Sequence, residues 1–106
     1  MNIKILTPEF VVFDGDVKSV LLPGKSGEFH VMKNHAAIVA SLKNGKIKLY
    51  TDKINEKFAE KFKKENEKES VFSFKIKSGV MEFSNNKGII LAEWGDPTTD
   101  QEEAAR

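Results

Sequence analysis

The side chains with a claim to chemistry are few. Glu28 and His30 flank Phe29 with the period of two expected of a strand, so both point to one side, and His35 follows five residues later. A carboxylate and an imidazole on one face could begin a divalent-metal site, with His35 as a further donor. No ligand motif supports that reading, and two polar residues in alternation are what any solvated strand face shows. Gly24-Lys25-Ser26 ends like a phosphate-binding loop, but Val20 and Leu21 stand where the motif needs its earlier glycine, and the next residues read as strand rather than helix. The same stretch, Pro23-Gly24-Lys25-Ser26-Gly27, misplaces its serine for a nucleophile turn. There is no cysteine, which removes disulfides, thiol nucleophiles and cysteine metal sites by inventory. The expectation is therefore no catalytic residue, no cofactor and no metal.

Charge and hydropathy narrow the partners. Lys and Arg number 17 against 16 Asp and Glu, a net charge of +1, without the basic excess of a protein that grips nucleic acid. The longest apolar run is about four residues and the N-terminus has no signal-peptide core, so the sequence predicts a soluble chain that does not itself insert in a membrane.

The elements that would position these residues are strands. Ile3, Ile5 and Thr7 alternate with polar neighbours until Pro8. Phe10 to Phe13 and Val17 to Leu22 flank Asp14-Gly15, which predicts a hairpin, and Val17 to Leu22 is apolar on both sides near its end, as a strand covered twice would be. Glu28 to Met32 is a short strand after the Gly-rich turn. Ile38 to Leu42 and Ile47 to Tyr50 flank Asn44-Gly45 as a second predicted hairpin. Phe72 to Ile76, Val80 to Phe83 and Ile89 to Ala92 complete an all-β pattern of a sandwich or barrel.

One segment departs from this rhythm. Residues 54–69 are rich in interleaved Lys and Glu, lack Gly and Pro, and space Ile54, Phe58 and Phe62 four apart, which predicts a short amphipathic helix with Glu60 and Lys64 as a supporting pair. Packing within the domain is the favoured use of the stripe. As an insertion in a hairpin it should also be removable at small cost, because loop closure depends weakly on length, about 0.6 kcal/mol per doubling. Residues 1–95 read as one domain and 96–106 as a disordered acidic tail.

The order of these blocks resembles one family. Thr7-Pro8-Glu9, Val12-Phe13-Asp14-Gly15 and Val17-Lys18-Ser19-Val20 are similar to the opening of the epsilon subunit of F-type ATP synthases, and Pro23 to Val31 with Asn34-His35-Ala36 resemble its next conserved segment. Leu42-Lys43-Asn44-Gly45, Gly79-Val80-Met81-Glu82-Phe83, Asn85-Asn86-Lys87 and Ile90-Leu91-Ala92 continue the match in the same order. Lys33-Asn34 stands where the family has Pro-Gly, Ala37 replaces a Pro and His30 a Gly, the 54–69 segment is longer than the family's hairpin, and the sequence stops where the family begins a two-helix arm.

The resemblance implies a flattened sandwich of two antiparallel sheets, about ten strands, in a short form without the inhibitory arm. It implies a non-catalytic rotor subunit of a proton-translocating ATP synthase, at the cytoplasmic face of a bacterial inner membrane. Gly27, Glu28, Phe29 and His30 would face the c-ring, and Thr7, His35, Ala36 and Ile38 the gamma subunit, with the catalytic alpha/beta head reached indirectly. A metal enzyme around Glu28, His30 and His35, and a free-standing ligand-binding or adaptor sandwich, remain the competing readings.

Overall fold

A computed structural model describes residues 1–65 and 70–95. Nine strands and one helical turn follow in the order β1 Asn2–Leu6, β2 Val11–Asp16, β3 Ser19–Gly24, β4 Gly27–Met32, β5 Ile38–Leu42, β6 Gly45–Tyr50, α1 Glu56–Ala59, β7 Lys63–Lys64, β8 Val71–Ser84 and β9 Lys87–Trp94. The all-β expectation holds.

The long strand β8 explains how the layers join. Its first half, Val71–Ile76, pairs with β6, while Gly79–Phe83 pairs with β5, and β9 pairs from Ile76 to Ser84. The register slips between Ile76 and Ser78, an irregularity that bends the strand as it passes from one partner to the next. The path β2-β1-β9-β8-β5-β3-β4, with β6 bridging β3 and β8, is thus one continuous hydrogen-bonded sheet folded on itself. The layers are two parts of this single sheet, and there are nine strands among the described residues where about ten were expected. The pairing is mixed, because β1 and β9 run parallel, Ile3 opposite Gly88 and Leu6 opposite Leu91. These strands lie at opposite ends of the chain, so no tight turn forces them antiparallel.

Inward residues of both layers form the core. Ile3, Ile5, Val20, Leu22, Leu42, Ile47, Leu49, Ile76, Met81 and Ile90 are fully buried. Two predicted hairpins are absent. Asp14-Gly15 lies inside β2, opposite Lys4 and Ile3, so β2 pairs with β1 and not with β3. Gly15 is used for proximity, since a Cβ there would stand 3.2 Å from the Phe13 ring. Likewise Asn44-Gly45 turns a corner: β5 and β6 each pair with a different half of β8, and Lys43 N–H bonds to Pro23 O at 2.8 Å. The tight turn of the β8–β9 hairpin is Asn85-Asn86, both left-handed at φ 50° and 59°.

Across residues 54–65 the helix is a single turn, and the apolar stripe reaches the core. Asn55 Oδ1 accepts from Lys57 N–H at 3.1 Å and caps a single turn, α1, after which Lys63–Lys64 join β8 opposite Ser73 and Phe72. Glu60 therefore ends the helix and Lys64 lies in a strand, so the expected helical pair does not form. Ile54 and Phe58 are buried and Phe62 half-buried. Phe13 meets Phe58 at 5.7 Å and Phe62 at 5.9 Å, and Phe62 meets Phe74 at 5.7 Å. The stripe packs within the domain, as favoured: Ile54 and Phe58 belong to its core cluster and Phe62 packs against it. Residues 66–69 lie outside the described residues.

Glu65 closes this segment, with Lys46 Nζ 3.4 Å from its Oε1. Burial works against ionisation of its carboxyl, but the Ser73 hydroxyl and the Lys46 ammonium outweigh it and hold Glu65 below its ordinary 4.5. A lowered folded value means the contribution is complete above the unfolded value and is lost as pH falls through the folded one. Glu65→Gln is expected to flatten that part of the acid unfolding curve, read from Trp94 fluorescence; an unchanged acid limb would remove Glu65 from acid stability.

Candidate functional site

Hairpin β3–β4 presents the first set of sequence-predicted residues. Leu22 faces Phe29 and Pro23 faces Glu28 across the ladder, so Phe29 packs on the core while Glu28 points out. Gly24 makes room for Phe29, since a Cβ there would lie 2.9 Å from its ring, and Gly27, at φ 129°, closes the turn in a conformation that favours glycine. Gly27 and Glu28 are exposed at the tip, and Glu28 makes no ion pair among the described residues. His30 is different: Nε2 lies 2.8 Å from Ser19 Oγ and the ring stacks on Tyr50 at 4.9 Å, which ties it down half-buried, away from the tip.

The second set does not form one cluster. Thr7 is buried and closes the turn after β1, with Oγ1 donating to Phe10 O at 3.2 Å and accepting from Phe10 N–H at 3.3 Å. His35 stands before β5, its Nδ1 2.7 Å from Ala36 O and its ring edge-on to Phe83 at 6.1 Å. Ala36 is exposed and Ile38 half-buried. Thr7 and the His35–Ile38 segment thus bracket β5 from its two ends. Gly27, Glu28 and Phe29 share a cleft of about 530 Å³ with Ile38 and Val39, so the two predicted sets adjoin.

Between the brackets lies a feature that the sequence reading did not pick out. On the outer face Val80 stands opposite Leu91, Leu91 opposite Leu6, and Leu6 opposite Val11, an apolar row crossing β8, β9, β1 and β2. Beside it, Val39 is opposite Glu82 and Glu82 opposite Ile89. Val39 is 74% exposed, Leu91 54% and Ile89 48%. A groove of about 840 Å³ runs over the row, with Leu6, Gly79, Val80 and Leu91 in its lining and Thr7 and Ser41 beside them. Contiguous exposed apolar surface of this kind marks an interaction site. The signal was present in Ile89-Ile90-Leu91-Ala92, apolar on both faces, as it was in Val17 to Leu22.

His30 and His35 hold different neighbours, and among the described residues no group of three or more His, Asp or Glu is placed to hold a metal ion. No helix among them is long and apolar enough to cross a membrane.

The sequence profile of the ATP synthase Delta/Epsilon chain beta-sandwich domain matches residues 1–94. The chain belongs to this delta/epsilon family. Within the family it is 38% identical over 93 residues to the ATP synthase epsilon chain of Chlorobium limicola, covering 87% of this chain and 88% of that one. It is 33% identical over 104 residues to the epsilon chain of Rickettsia bellii, covering 98% and 84%. The fold is shared with a chain in the cryo-EM structure of the central stalk and c-ring of the Tetrahymena thermophila mitochondrial ATP synthase, with a TM-score of 0.65 at 14% identity. That match covers 87% of this chain and 62% of the Tetrahymena one. As an epsilon-type chain, this delta/epsilon family member is a non-catalytic component of an ATP synthase, a membrane-associated complex.

Proposed function

We propose that the chain is a rotor coupler that joins the gamma subunit to the c-ring of a proton-translocating ATP synthase, at the cytoplasmic face of a bacterial inner membrane. The carrying observation is the outer apolar row of exposed Val80, Leu91 and Val11 with half-buried Leu6 between them, bracketed by Thr7 and by His35, Ala36 and Ile38. In this reading the row and its brackets cover gamma, through which the alpha/beta head is reached. The polar hairpin tip at Gly27 and Glu28 meets the ring, Phe29 supports that tip from the core, and His30 stiffens the strand behind it. A coupler needs two surfaces on a body that does not yield, and a folded continuous sheet with a close-packed core supplies both. Residues 1–95 are the coupling domain. Residues 96–106 lie outside the described residues; with acidic groups and no large apolar side chain, they supply no inhibitory arm in this reading.

Co-expression with gamma and the alpha/beta subunits tests the reading. A stoichiometric complex that includes this chain is expected, and an adaptor sandwich unrelated to the rotor would elute alone. Glu28 has its own test. An exposed carboxylate contributes within about 0.5 kcal/mol to folding, so Glu28→Lys should leave Tm nearly unchanged. The same change should weaken retention of the head on c-ring membranes, most at low salt where charge is least screened. Equal retention of wild type and variant across salt would take Glu28 out of the ring contact.

A further inference from the structure

Loop 33–37, which carries His35 and Ala36, is tied to the β8–β9 turn by a reciprocal pair of asparagines 52 positions apart. Asn34 N–H donates to Asn86 Oδ1 at 2.6 Å, and Asn86 Nδ2 donates to Asn34 Oδ1 at 2.9 Å. Both residues are left-handed, Asn34 at φ 67° and Asn86 at φ 59°, a region that asparagine tolerates better than most residues. Asn86 is itself anchored, since its carbonyl accepts from Asn2 N–H at 2.9 Å. Within the loop's own end of the chain, His35 N–H donates to Met32 O at 3.0 Å. The clamp thus transfers the rigidity of the interior β1–β9 pair to a loop with exposed residues.

We propose that Asn34 and Asn86 are positioning residues that hold loop 33–37 and the β8–β9 turn as one preformed unit of the gamma-binding surface. This rests on the proposed gamma contact and adds to it a pair that touches gamma only through the loop it fixes. Preorganisation raises affinity by removing the ordering cost of the loop at the moment of binding.

Two variants separate side chain from backbone. Asn86→Gly keeps the left-handed φ and removes the clamp, while Asn86→Asp keeps an acceptor for Asn34 N–H. Hydrogen exchange on the full chain reads the clamp without gamma: the Asn34 amide is expected to exchange about tenfold faster in Asn86→Gly and near the wild-type rate in Asn86→Asp. Gamma affinity, measured by calorimetry on the same proteins, is expected to follow, falling about tenfold in the glycine variant and recovering in the aspartate variant. Unchanged Asn34 exchange in Asn86→Gly would overturn the clamp, and faster exchange with unchanged gamma affinity would overturn its positioning role. Failure of wild type to bind gamma would overturn the functional reading and the positioning role together, and would be told apart because the exchange result stands without gamma.

Discussion

Phe58→Ala is expected to lower folding stability by about 3–5 kcal/mol, the usual cost of removing a buried phenylalanine ring. Phe58 lies against Phe13 from a helix of only four residues, and such a helix has little stability of its own. The ring holds α1 in place and α1 delivers the ring to the core, so losing either loses both. Phe62→Ala should cost less, because that ring is only half-buried. Deleting residues 55–64 should cost more than Phe58→Ala, since it removes the α1 turn, Phe62 and the β7 pairing with β8 together. This reverses the expectation from loop-closure entropy alone, which counts the cost of joining chain ends and nothing for what the loop packs against. Urea midpoints at constant slope measure these effects. A Phe58→Ala loss below about 1 kcal/mol would show that the segment is an addition to the sandwich and not part of its core.

The second large effect falls on binding. Leu91→Asp places a carboxylate in the middle of the outer apolar row, between Val80 and Leu6. Leu91 is 54% exposed in the free chain, so folding should change little. In a complex that covers the row, the carboxylate would have to be dehydrated against apolar side chains, and central interface positions of this kind carry about 2 kcal/mol or more, some thirtyfold in affinity. Leu91→Asp is therefore expected to reduce gamma binding at least thirtyfold at nearly unchanged Tm, with the exposed Lys53→Asp as a control that binds normally. Full affinity in Leu91→Asp would move the gamma contact off this face.

Strand content was legible because one-face alternation is a local signal: Ile3, Ile5 and Thr7, or Phe72 to Ile76, carry their burial pattern in their own order. Pairing was less so. Asp14-Gly15 and Asn44-Gly45 have turn chemistry, yet the first sits inside a strand where Gly15 admits the Phe13 ring, and the second lies at a corner. Which strand pairs with which depends on β8 serving both layers, and no short window of sequence contains that fact. The same limit applies to the site. The order of motifs located the hairpin tip at Glu28 and the loop at His35, but the apolar row exists only once Val80, Leu91, Leu6 and Val11 stand side by side across four strands. The resemblance grouped His30 with Gly27, Glu28 and Phe29, and its contacts with Ser19 and Tyr50, which set it behind the tip, come from strands distant in sequence.

ATP-driven proton uptake into vesicles carrying the membrane sector tests coupling most directly, with the gamma-containing head added with and without this chain. The account predicts that hydrolysis by the head drives acidification when the wild-type chain is present, and that acidification is lost without the chain or with Leu91→Asp, while hydrolysis continues. Equal proton uptake with and without the chain would contradict its role as the coupling element.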